Sequence, residues 1–540
     1  MRRRHLFKIC AAAGAIATAT VMTSPSAGAA SHSSTVVGKY HHVVVIYQEN
    51  HSFDNLYGGW GTVNGQRVDG VQQQTGEHAV QQVAQNGEPY GCLLQNDVNL
   101  TAPSPLTSTC QDPAHKVTAS HFGNQQFSID DYIHPADKTC PAPGVFAPNG
   151  VLKDSAGAVP GGCTRDLVHR FYQEQYQING GKQNRYVTGS DAVGLSMGTY
   201  DTKTLPIYTY LHSQGAPHYV IADHFFQGAF GGSFLNHQYL IAGRAPVDTA
   251  AGPGGADAGL HSVVDANGFP NTYPLYTPTT AVKDGQLTQA CGPTANPNVA
   301  CGDYGVNTMQ PSSAPAGGGA KLPLIDDTAY PNIGDRLSAK NVPWAWYAGG
   351  WNDANSGHPG ALFQYHHQPF NYFAAYAPGT PGRAHLKDET EFLSAAQQGT
   401  LPTVSFVKPY GAENEHPGYT GESGGSDHLV DLLKAIQSGP QAKDTLVVVT
   451  YDEFGGSFDH VPPPGKGSPT QGVSDQFGPG TRVPTLVLSA SLPHSGVDHT
   501  VYDTTSILAT IERGLGLKPL GTRDAKVADL RGALSTSWWS

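Results

Sequence analysis

Two apolar runs dominate the pattern of hydrophobic and polar positions along the chain. Residues 43–47 are Val-Val-Val-Ile-Tyr, and residues 446–451 are Leu-Val-Val-Val-Thr-Tyr. Continuous β-branched runs of this length are typical of parallel strands that are covered on both faces. We therefore predict two buried strands of one sheet.

The last third of the chain extends this pattern. Residues 403–407 and 485–489 predict further strands, and residues 504–514 predict a helix. Five apolar positions between 429 and 436 recur at helical spacing, with Ser426 as the predicted N-cap. Strand–helix–strand alternation favours an α/β fold, with a mostly parallel central sheet flanked by helices on both faces.

Two stretches interrupt the pattern, at about residues 60–165 and 245–325. Both are rich in glycine and proline and show little periodicity. Long loops of this kind are uncommon unless they are functional, so we interpret both as insertions that wall or cap a site. We predict a single domain over residues 31–540 that contains them.

The N-terminus carries an export pattern. Three arginines at residues 2–4 precede a short Ala-rich apolar stretch at 9–21, and small residues at 27–30 offer a cleavage site. The Arg-Arg-His-Leu-Phe-Lys segment also resembles a twin-arginine signal, with an ordinary secretion signal as the alternative. We predict that residues 1–30 are removed and that the mature protein is secreted or periplasmic. No later stretch reaches the ~18 apolar residues of a transmembrane segment.

The net charge narrows the class of possible partners. A formal net charge of −12 argues against nucleic acid as a partner.

The cysteine content indicates disulfides, because the chain beyond the signal has an even number of cysteines and is expected to be exported. Six cysteines permit many connectivities, and pairing of sequence neighbours, above all Cys291 with Cys301, is our hypothesis. The cysteines beyond the signal are Cys92, Cys110, Cys140, Cys163, Cys291 and Cys301.

Each of the two central strands leads directly into an acidic motif. Glu49-Asn50 follows the first run, and Asp452-Glu453 follows the second. Ligands of open α/β sheets bind beyond the carboxyl ends of such strands, so the four side chains converge if the strands are neighbours. Carboxylates packed together repel one another unless a cation lies among them. The motifs therefore predict a metal-centred hydrolase site.

A candidate nucleophile lies in a glycine-rich segment. Ser233 follows Gly231 and Gly232, where the small residues allow a ligand to come close to the backbone. A serine hydroxyl is a poor nucleophile, but it deprotonates far more easily when it is bound to a cation. Taken alone, the segment is more typical of an ordinary turn than of a catalytic site.

Five motifs occur together in a characteristic order. They are Glu-Asn-His-Ser-Phe-Asp at 49–54, Met-Gly-Thr-Tyr-Asp at 197–201, Gly-Gly-Ser-Phe-Leu-Asn at 231–236, Asn-Glu-His-Pro at 414–417 and the segment 451–463. Together they resemble the bacterial phosphoesterase family of non-haemolytic phospholipases C and secreted acid phosphatases, whose fold is similar to that of alkaline phosphatase. The resemblance implies a central sheet between helices, with a metal at the strand ends.

The resemblance also implies a metal site and a covalent mechanism. Ser233 would attack phosphorus to give a phosphoserine that water then hydrolyses. Gly232 and Leu235 depart from the family pattern, which commonly has proline at both positions. Oxygen ligands favour Mg²⁺ or Ca²⁺, and nearby histidines leave Zn²⁺ or Mn²⁺ open. One divalent metal ion would be held by Glu49, Asn50, Ser233, Asp452 and Glu453.

Histidines are expected around the phosphate, as hydrogen-bond donors and as the acid for the leaving group. His416 matches the family pattern, and so does His169. In the segment 365–370 we favour His367 as the third histidine of the site, with the adjacent His366 as the alternative.

Several further charged residues near the motifs are left out of the metal site. Asp54, Asp459 and Glu422 each follow a turn, where a carboxylate often accepts hydrogen bonds from local backbone amides. His460 is expected to support the turn that contains Asp452 and Glu453, without contacting substrate.

These observations favour a secreted hydrolase of small phosphate monoesters, similar to acid phosphatases. A phospholipase C that hydrolyses the head groups of phospholipids is the main alternative. Lipases of the family often carry further C-terminal domains, and this chain ends soon after the Asp452-Glu453 motif, which favours the phosphatase. A sulfatase is disfavoured because the chain lacks a Cys/Ser-x-Pro-x-Arg motif. A catalytically inactive secreted binding protein is a further alternative.

Overall fold

The protein is described by a computed structural model. The predicted signal segment, Cys140, Cys163, Cys291 and parts of both predicted insertions lie outside the described residues. The described residues are 35–84, 86–93, 108–115, 117–130, 166–190, 193–247, 261–265 and 299–534.

An eight-stranded sheet forms the centre of the fold. In chain order its strands are β1 (His42–Gln48), β2 (His218–Ala222), β3 (Trp344–Ala348), β4 (Leu386–Asp388), β5 (Val404–Lys408), β6 (Thr445–Tyr451), β7 (Thr485–Ser489) and β8 (Gly496–Asp498). Across the sheet they are ordered β4-β3-β5-β1-β6-β7-β2-β8. β7 is antiparallel to β6 and β2, and all other neighbours are parallel, so the predicted mostly parallel sheet is confirmed.

The two strands with the strongest apolar pattern lie side by side at the centre of this sheet. β1 and β6 are parallel, with Gln48 opposite Tyr451. All of β6 and all but the first residue of β1 are buried, which explains why both are continuously apolar. Glu49 directly follows β1 and Asp452 directly follows β6, so both residues leave the sheet together at one edge.

Helices cover both faces of the sheet. They are α1 (Phe53–Leu56), α2 (Phe171–Ile178), α3 (Pro206–Leu211), α4 (Ser233–Ala242), α5 (Ile333–Ala339), α6 (Trp351–Asn355), α7 (Glu389–Gln398), α8 (Glu422–Ser438) and α9 (Thr504–Leu515). α3, α7 and α8 form one contacting set, and α4, α5 and α9 form another. None of the helices within the described ranges combines the length and the hydropathy that a membrane span needs.

One predicted helix boundary is wrong. α8 begins at Glu422 with Gly421 as its N-cap, so Ser426 lies inside the helix. The Ser426 hydroxyl is buried and accepts a hydrogen bond from the backbone N–H of Ile207 at 2.9 Å. Glycines near the start of α8 conceal the boundary, because glycine is a poor helix former. Gly425 is nevertheless required, since a Cβ there would lie 2.4 Å from Glu415 Cγ.

Short strand pairs and one disulfide complete the described part. Cys92 and Cys110 are disulfide-bonded, which is the predicted pairing of sequence neighbours. The predicted Cys291–Cys301 bond falls outside the described residues. The short pairs are Thr62–Val63 with Gln66–Arg67, Cys110–Asp112 with Val117–Ser120, Phe127–Ser128 with Gly198–Thr199, Phe225–Phe226 with Tyr502–Asp503, His261–Asp265 with Val299–Gly305, and Gln310–Pro311 with Lys321–Leu322.

Candidate active site

The two acidic motifs meet beyond the carboxyl ends of β1 and β6. The backbone N–H of Asp452 donates to the Gln48 carbonyl at 3.0 Å, and that of Asn50 donates to Asp452 Oδ1 at 3.2 Å. Asn50 has a φ of 60°, a left-handed conformation that asparagine tolerates better than most residues. The structure brings together all four predicted side chains, each of them completely buried: Glu49, Asn50, Asp452 and Glu453.

Asp452 and Glu453 each use one oxygen for a backbone contact and leave the other without a hydrogen bond. Asp452 Oδ1 accepts from the N–H groups of Asn50 and Glu453, and Glu453 Oε2 accepts from the N–H of Gly455 at 2.7 Å. Asp452 Oδ2 and Glu453 Oε1 are buried and have no hydrogen-bond partner among the described residues. Backbone amides thus orient both carboxylates and leave one oxygen of each available to a ligand.

Electrostatic repulsion within the cluster supports a cation site. Burial and the nearby Glu49 carboxylate raise the pKa of Asp452 to about 8, and burial together with Asp452 raises that of Glu453 well above its usual range. Burial also raises the pKa of Glu49, but His367 and Lys408 outweigh it and hold that pKa well below its usual value. The two unpartnered oxygens and the carboxylate repulsion fit a positively charged ion at this position.

Ser233 lies against the same cluster. It is the first residue of α4, with Gly232 as the N-cap, and its Oγ is 3.2 Å from Glu49 Oε2 and 3.4 Å from Asn50 Oδ1. The preceding Gly231 has a φ of 88°, and a Cβ there would lie 2.6 Å from the backbone nitrogen of Phe171. The glycine-rich segment is therefore a turn that also directs the serine hydroxyl at the acidic cluster.

His169 and His416 flank the serine with similar geometry. The Nδ1 of each ring lies near a local backbone carbonyl, at 2.5 and 2.7 Å, which leaves Nε2 directed toward the site. His169 Nε2 is 3.4 Å from Glu453 Oε1, and His416 Nε2 is 3.1 Å from Asn50 Nδ2. The ring centroids are 6.4 Å apart. A backbone bond to Nδ1 selects the tautomer and so determines which nitrogen faces a ligand.

The structure distinguishes His367 from His366. His367 Nε2 is 2.8 Å from Glu49 Oε1, whereas the His366 ring lies edge-on behind His367, with centroids 4.7 Å apart. Burial lowers the pKa of His367 to about 4, even though the Glu49 carboxylate opposes this shift. Of the two, His367 is the one that contacts the acidic cluster.

Lys408 belongs to the cluster but was not predicted. It is the last residue of β5, is fully buried, and forms an ion pair with Glu49 Oε1. Its Nζ also donates to the Gln48 carbonyl at 3.3 Å. The available sequence signal was a lysine that ends an apolar run, in the position where β1 and β6 carry their acidic motifs.

His237 is a second site residue that was missed. It lies four residues after Ser233 in α4, and its Nδ1 donates to the Ser233 carbonyl at 2.7 Å. Its ring is parallel to that of His367, with centroids 5.2 Å apart. Glu49, His237 and His367 offer ligand atoms that all lie within 4.8 Å of one another. The spacing of four residues, which places side chains on one helix face, was the available signal.

His460 does not support the Asp452-Glu453 turn, so that prediction is wrong. Its Nδ1 is 2.8 Å from Asp54 Oδ2, and its Nε2 is 3.1 Å from Asp69 Oδ1. The buried Arg482 pairs with Asp54 and with a further carboxylate, Asp459, each at 3.0 Å. The arginine therefore holds these two acidic side chains close to His460.

The prediction of local backbone bonds is confirmed for Asp459, whose Oδ1 accepts from the N–H of Val461. It is wrong for Asp54, whose Oδ2 accepts from the N–H of His460, far away in the chain. Glu422 instead accepts from the Tyr200 hydroxyl at 2.7 Å.

A cavity of about 270 Å³ opens beside the serine turn. It has both charged and apolar walls. Its lining includes Asp166, His169, Arg170, Gly232, Phe234 and Asn307. The departure from proline at Gly232 has a local reason, because a Cβ there would lie only 3.1 Å from His169 Cδ2.

Solved structures are matched weakly. A protein in the alkaline phosphatase superfamily from Vibrio parahaemolyticus is 13% identical with a TM-score of 0.23, over 36% of this chain and 50% of that one. Ps i-CgsB in complex with k-i-k-neocarrahexaose is 12% identical with a TM-score of 0.26, over 59% of this chain and 67% of that one.

Curated relatives are matched over longer stretches. Phospholipase C B of Mycobacterium tuberculosis is 26% identical over 401 residues, which cover 69% of this chain and 64% of the relative. Non-hemolytic phospholipase C of Burkholderia pseudomallei is 30% identical over 216 residues, which cover 34% of this chain and 29% of the relative. The chain thus spans less than two thirds of the length of these relatives.

A family model covers nearly the whole described chain. The model of the Phosphoesterase family matches residues 40–151 and 145–518, a span that includes β1, β6, both acidic motifs and Ser233. The chain therefore belongs to the Phosphoesterase family.

Proposed function

We propose that this protein is a metal-dependent hydrolase of phosphoric ester bonds with Ser233 as its nucleophile. The observation that carries the proposal is the position of the Ser233 hydroxyl, 3.2 Å from Glu49 Oε2 in a buried acidic cluster. Asp452 and Glu453 complete that cluster, and each keeps one oxygen without a hydrogen-bond partner.

The acidic cluster would hold one divalent cation. When bound, the cation would supply positive charge that favours the serine alkoxide and stabilises negative charge on the phosphoryl oxygens. The oxygen donors favour Mg²⁺ or Ca²⁺, whereas the adjacent His237 and His367 are ligands that suit Zn²⁺ or Mn²⁺. The cation would be held by Glu49, Asn50, Ser233, Asp452 and Glu453.

The residues around Ser233 are arranged to orient its oxygen. Lys408 and His367 contact Glu49 Oε1, so that Glu49 Oε2 remains directed at the hydroxyl. Ser233 also begins a ten-residue helix, whose first N–H groups favour the negative charge of a phosphoryl group. Attack of Oγ on phosphorus would release the alcohol and leave a phosphate on Ser233.

We assign the proton transfers to His169 and His416. In each neutral ring Nδ1 donates to a backbone carbonyl, so Nε2 is an acceptor. Nε2 of one of these rings would accept the hydroxyl proton of Ser233 and pass it to the departing alcohol oxygen. The same nitrogen would then accept a proton from the water that hydrolyses the phosphoserine and return it to the Ser233 oxygen. His367 contacts Glu49, so we assign it the task of holding that carboxylate in position.

Two substrate classes are supported by different observations. The cavity of about 270 Å³ beside Gly232 suits a phosphate monoester with a small alcohol group. The names of the curated relatives favour a phospholipase C, which would hydrolyse the phosphodiester of a phospholipid head group. We place the monoester first because the cavity belongs to this chain itself.

We also propose that the protein is exported from the cytoplasm. This part of the proposal rests on the signal-like pattern of residues 1–30 and on the even number of cysteines that follow it in the sequence.

A panel of chromogenic phosphate monoesters and diesters, assayed with and without chelator over a pH series, tests the proposal. We expect turnover of at least one class, loss of turnover with chelator and recovery with added divalent metal. A metal-loaded protein that hydrolyses no phosphate ester would identify a binding protein and contradict the proposal.

A further inference from the structure

A second group of metal-type ligands lies at the same edge of the sheet as the candidate active site. β2 and β8 are parallel neighbours, with Ala222 opposite Asp498. Asp223 and His224 directly follow β2, and His499 directly follows β8. β2 and β8 run in the same direction as β1 and β6, so these side chains emerge where ligands of open α/β sheets bind.

The three ligand atoms are close to the spacing that a metal requires. Asp223 Oδ1 is 3.1 Å from His224 Nδ1 and 2.9 Å from His499 Nδ1. All three atoms lie within 4.8 Å of one another. Metal–ligand bonds of about 2.0–2.2 Å in a tetrahedron hold the ligand atoms roughly 3.3–3.5 Å apart. Shifts of a few tenths of an ångström would therefore admit an ion.

Neighbouring groups orient these ligands as they do in known metal sites. His224 Nε2 is 3.4 Å from Asp69 Oδ2, so the ring can bind through Nδ1 and donate its other N–H to a carboxylate. The backbone N–H of Asp69 donates to Asp223 Oδ2 at 2.7 Å, which leaves Oδ1 as the ligand atom. Asp223 is completely buried, whereas the His499 side chain is 52% exposed and gives access from solvent.

Charge balance is compatible with an ion at this position. With all three histidines of the surrounding network protonated, their charges and that of the arginine neutralise the four carboxylates. A divalent cation that replaces the Nδ1 protons of His224 and His499 would leave this balance unchanged. The network consists of Asp54, Asp69, Asp223, Asp459, His224, His460, His499 and Arg482.

We propose that Asp223, His224 and His499 form a second divalent-metal site, with water completing the coordination. Two imidazoles and one carboxylate select a borderline transition ion such as Zn²⁺ or Co²⁺ over Mg²⁺ or Ca²⁺. The bound ion would tie the end of the edge strand β8 to β2.

The site also connects to the segment that follows the first acidic motif. Asp69 contacts both His224 and His460, and His460 contacts Asp54 in α1. α1 begins four residues after Glu49, so the ion would stabilise the fold next to the active site without taking part in the reaction.

Co²⁺ binding to the full-length chain tests the proposal, with Asp452→Asn as the background to weaken the first site. We expect calorimetry to find one bound ion fewer in Asp452→Asn/His499→Ala than in Asp452→Asn, or binding at least ~10-fold weaker. The visible absorption of nitrogen-ligated Co²⁺ should fall in the same variant, and excess Mg²⁺ should not displace the ion. Asp452→Asn/His358→Ala, which removes an exposed histidine elsewhere, should behave like the background.

The alternative is that hydrogen bonds hold Asp223, His224 and His499 together without a metal ion. Equal Co²⁺ stoichiometry, affinity and absorption with and without His499 would overturn the proposal. If the Asp452→Asn background does not fold, the same comparison in the otherwise unchanged chain decides between the two outcomes, because the proposal then predicts one ion fewer in His499→Ala.

Discussion

The carboxylates of the candidate active site divide their oxygen atoms between different partners. Glu49 Oε1 contacts Lys408 and His367, while Oε2 faces Ser233. Asp452 and Glu453 each accept hydrogen bonds from backbone amides through one oxygen, while the other oxygen has no hydrogen-bond partner among the described residues. Single-residue changes should therefore separate ligand loss from loss of the supporting contacts.

Asp452→Asn tests ligand loss. Asparagine keeps the oxygen that accepts from Asn50 and Glu453, but it removes the negative charge that a cation requires. We expect a folded protein with weaker metal binding and a rate at least ~100-fold lower. Turnover and metal content measure the effect, and Asp431→Asn at the surface is the matched control. Near-normal turnover in Asp452→Asn would rule out the metal site.

Ser233→Ala tests covalent catalysis. The change removes only the hydroxyl, so fold and bound metal should persist while nearly all turnover is lost. Acid quenching of the wild-type protein during turnover should trap phosphate on the peptide that contains Ser233. Substantial activity in Ser233→Ala without any phosphopeptide would show that water attacks the substrate directly.

Lys408→Met tests the buried ion pair. Glu49 would lose a cationic partner in a fully buried site, and breaking such a pair costs about 3–5 kcal/mol. Denaturant unfolding at neutral pH measures the loss. Lys387→Met is the matched control, because Lys387 pairs with Glu391 at the surface, where a pair contributes about 0.3–0.5 kcal/mol. Equal effects of the two changes would contradict the assigned role of Lys408.

At the scale of elements, the site is assembled from the ends of strands and the start of one helix. β1, β5 and β6 are adjacent parallel strands, and each ends at or just before a charged site residue. α4 contributes Ser233 at its first position and His237 one turn later. The loop after β6 is held to α1 by the contacts of Arg482 and His460 with Asp54.

His460→Gln tests how α1 is held to this loop. Burial lowers the pKa of His460, but Asp54 and Asp69 outweigh it and raise the pKa to about 10, from 6.5. A raised pKa means that protonated His460 stabilises the folded state fully below pH 6.5, and that this contribution disappears as the pH approaches about 10.

The measurement is the free energy of unfolding as a function of pH, in the presence of chelator. The difference between the wild-type protein and His460→Gln should be largest on the acidic side of this window and small at its alkaline end. A difference that does not change with pH would contradict the ion pair.

At the scale of the whole molecule, two groups of polar side chains share one edge of a single sheet. The acidic cluster lies at β1 and β6, and the Asp223, His224 and His499 group lies at β2 and β8, beyond the antiparallel β7. Elsewhere in the described part of the chain, the Cys92–Cys110 disulfide joins two loop-rich stretches.

Complete oxidation of the cysteines is expected for the mature protein. The prediction follows from export and from the location of the cysteines in loop-rich stretches. Thiol counting on unfolded, non-reduced protein should find almost no free thiol, and reduction should expose six. Six free thiols before reduction would contradict both the disulfides and an oxidising destination.

The strands β1 and β6, the acidic motifs that follow them and the mostly parallel sheet could be predicted from the sequence alone. These features depend on local patterns, because a strand that is buried on both faces needs a continuous apolar run. The residues that directly follow such a strand are the ones that lie at its carboxyl end, where ligands bind. The helix α9 was predictable for the same reason, whereas the glycines at the start of α8 concealed its boundary.

Which distant side chains complete the site depends on the three-dimensional fold. Lys408 pairs with Glu49, and His367 rather than His366 contacts that carboxylate. His460 is held by Asp54 and Asp69. The same holds for Asp223 and His499, which meet because β2 and β8 are neighbours. The physical reason is that buried charges must find partners wherever the fold brings them, and no local pattern records a partner that lies far away in the chain.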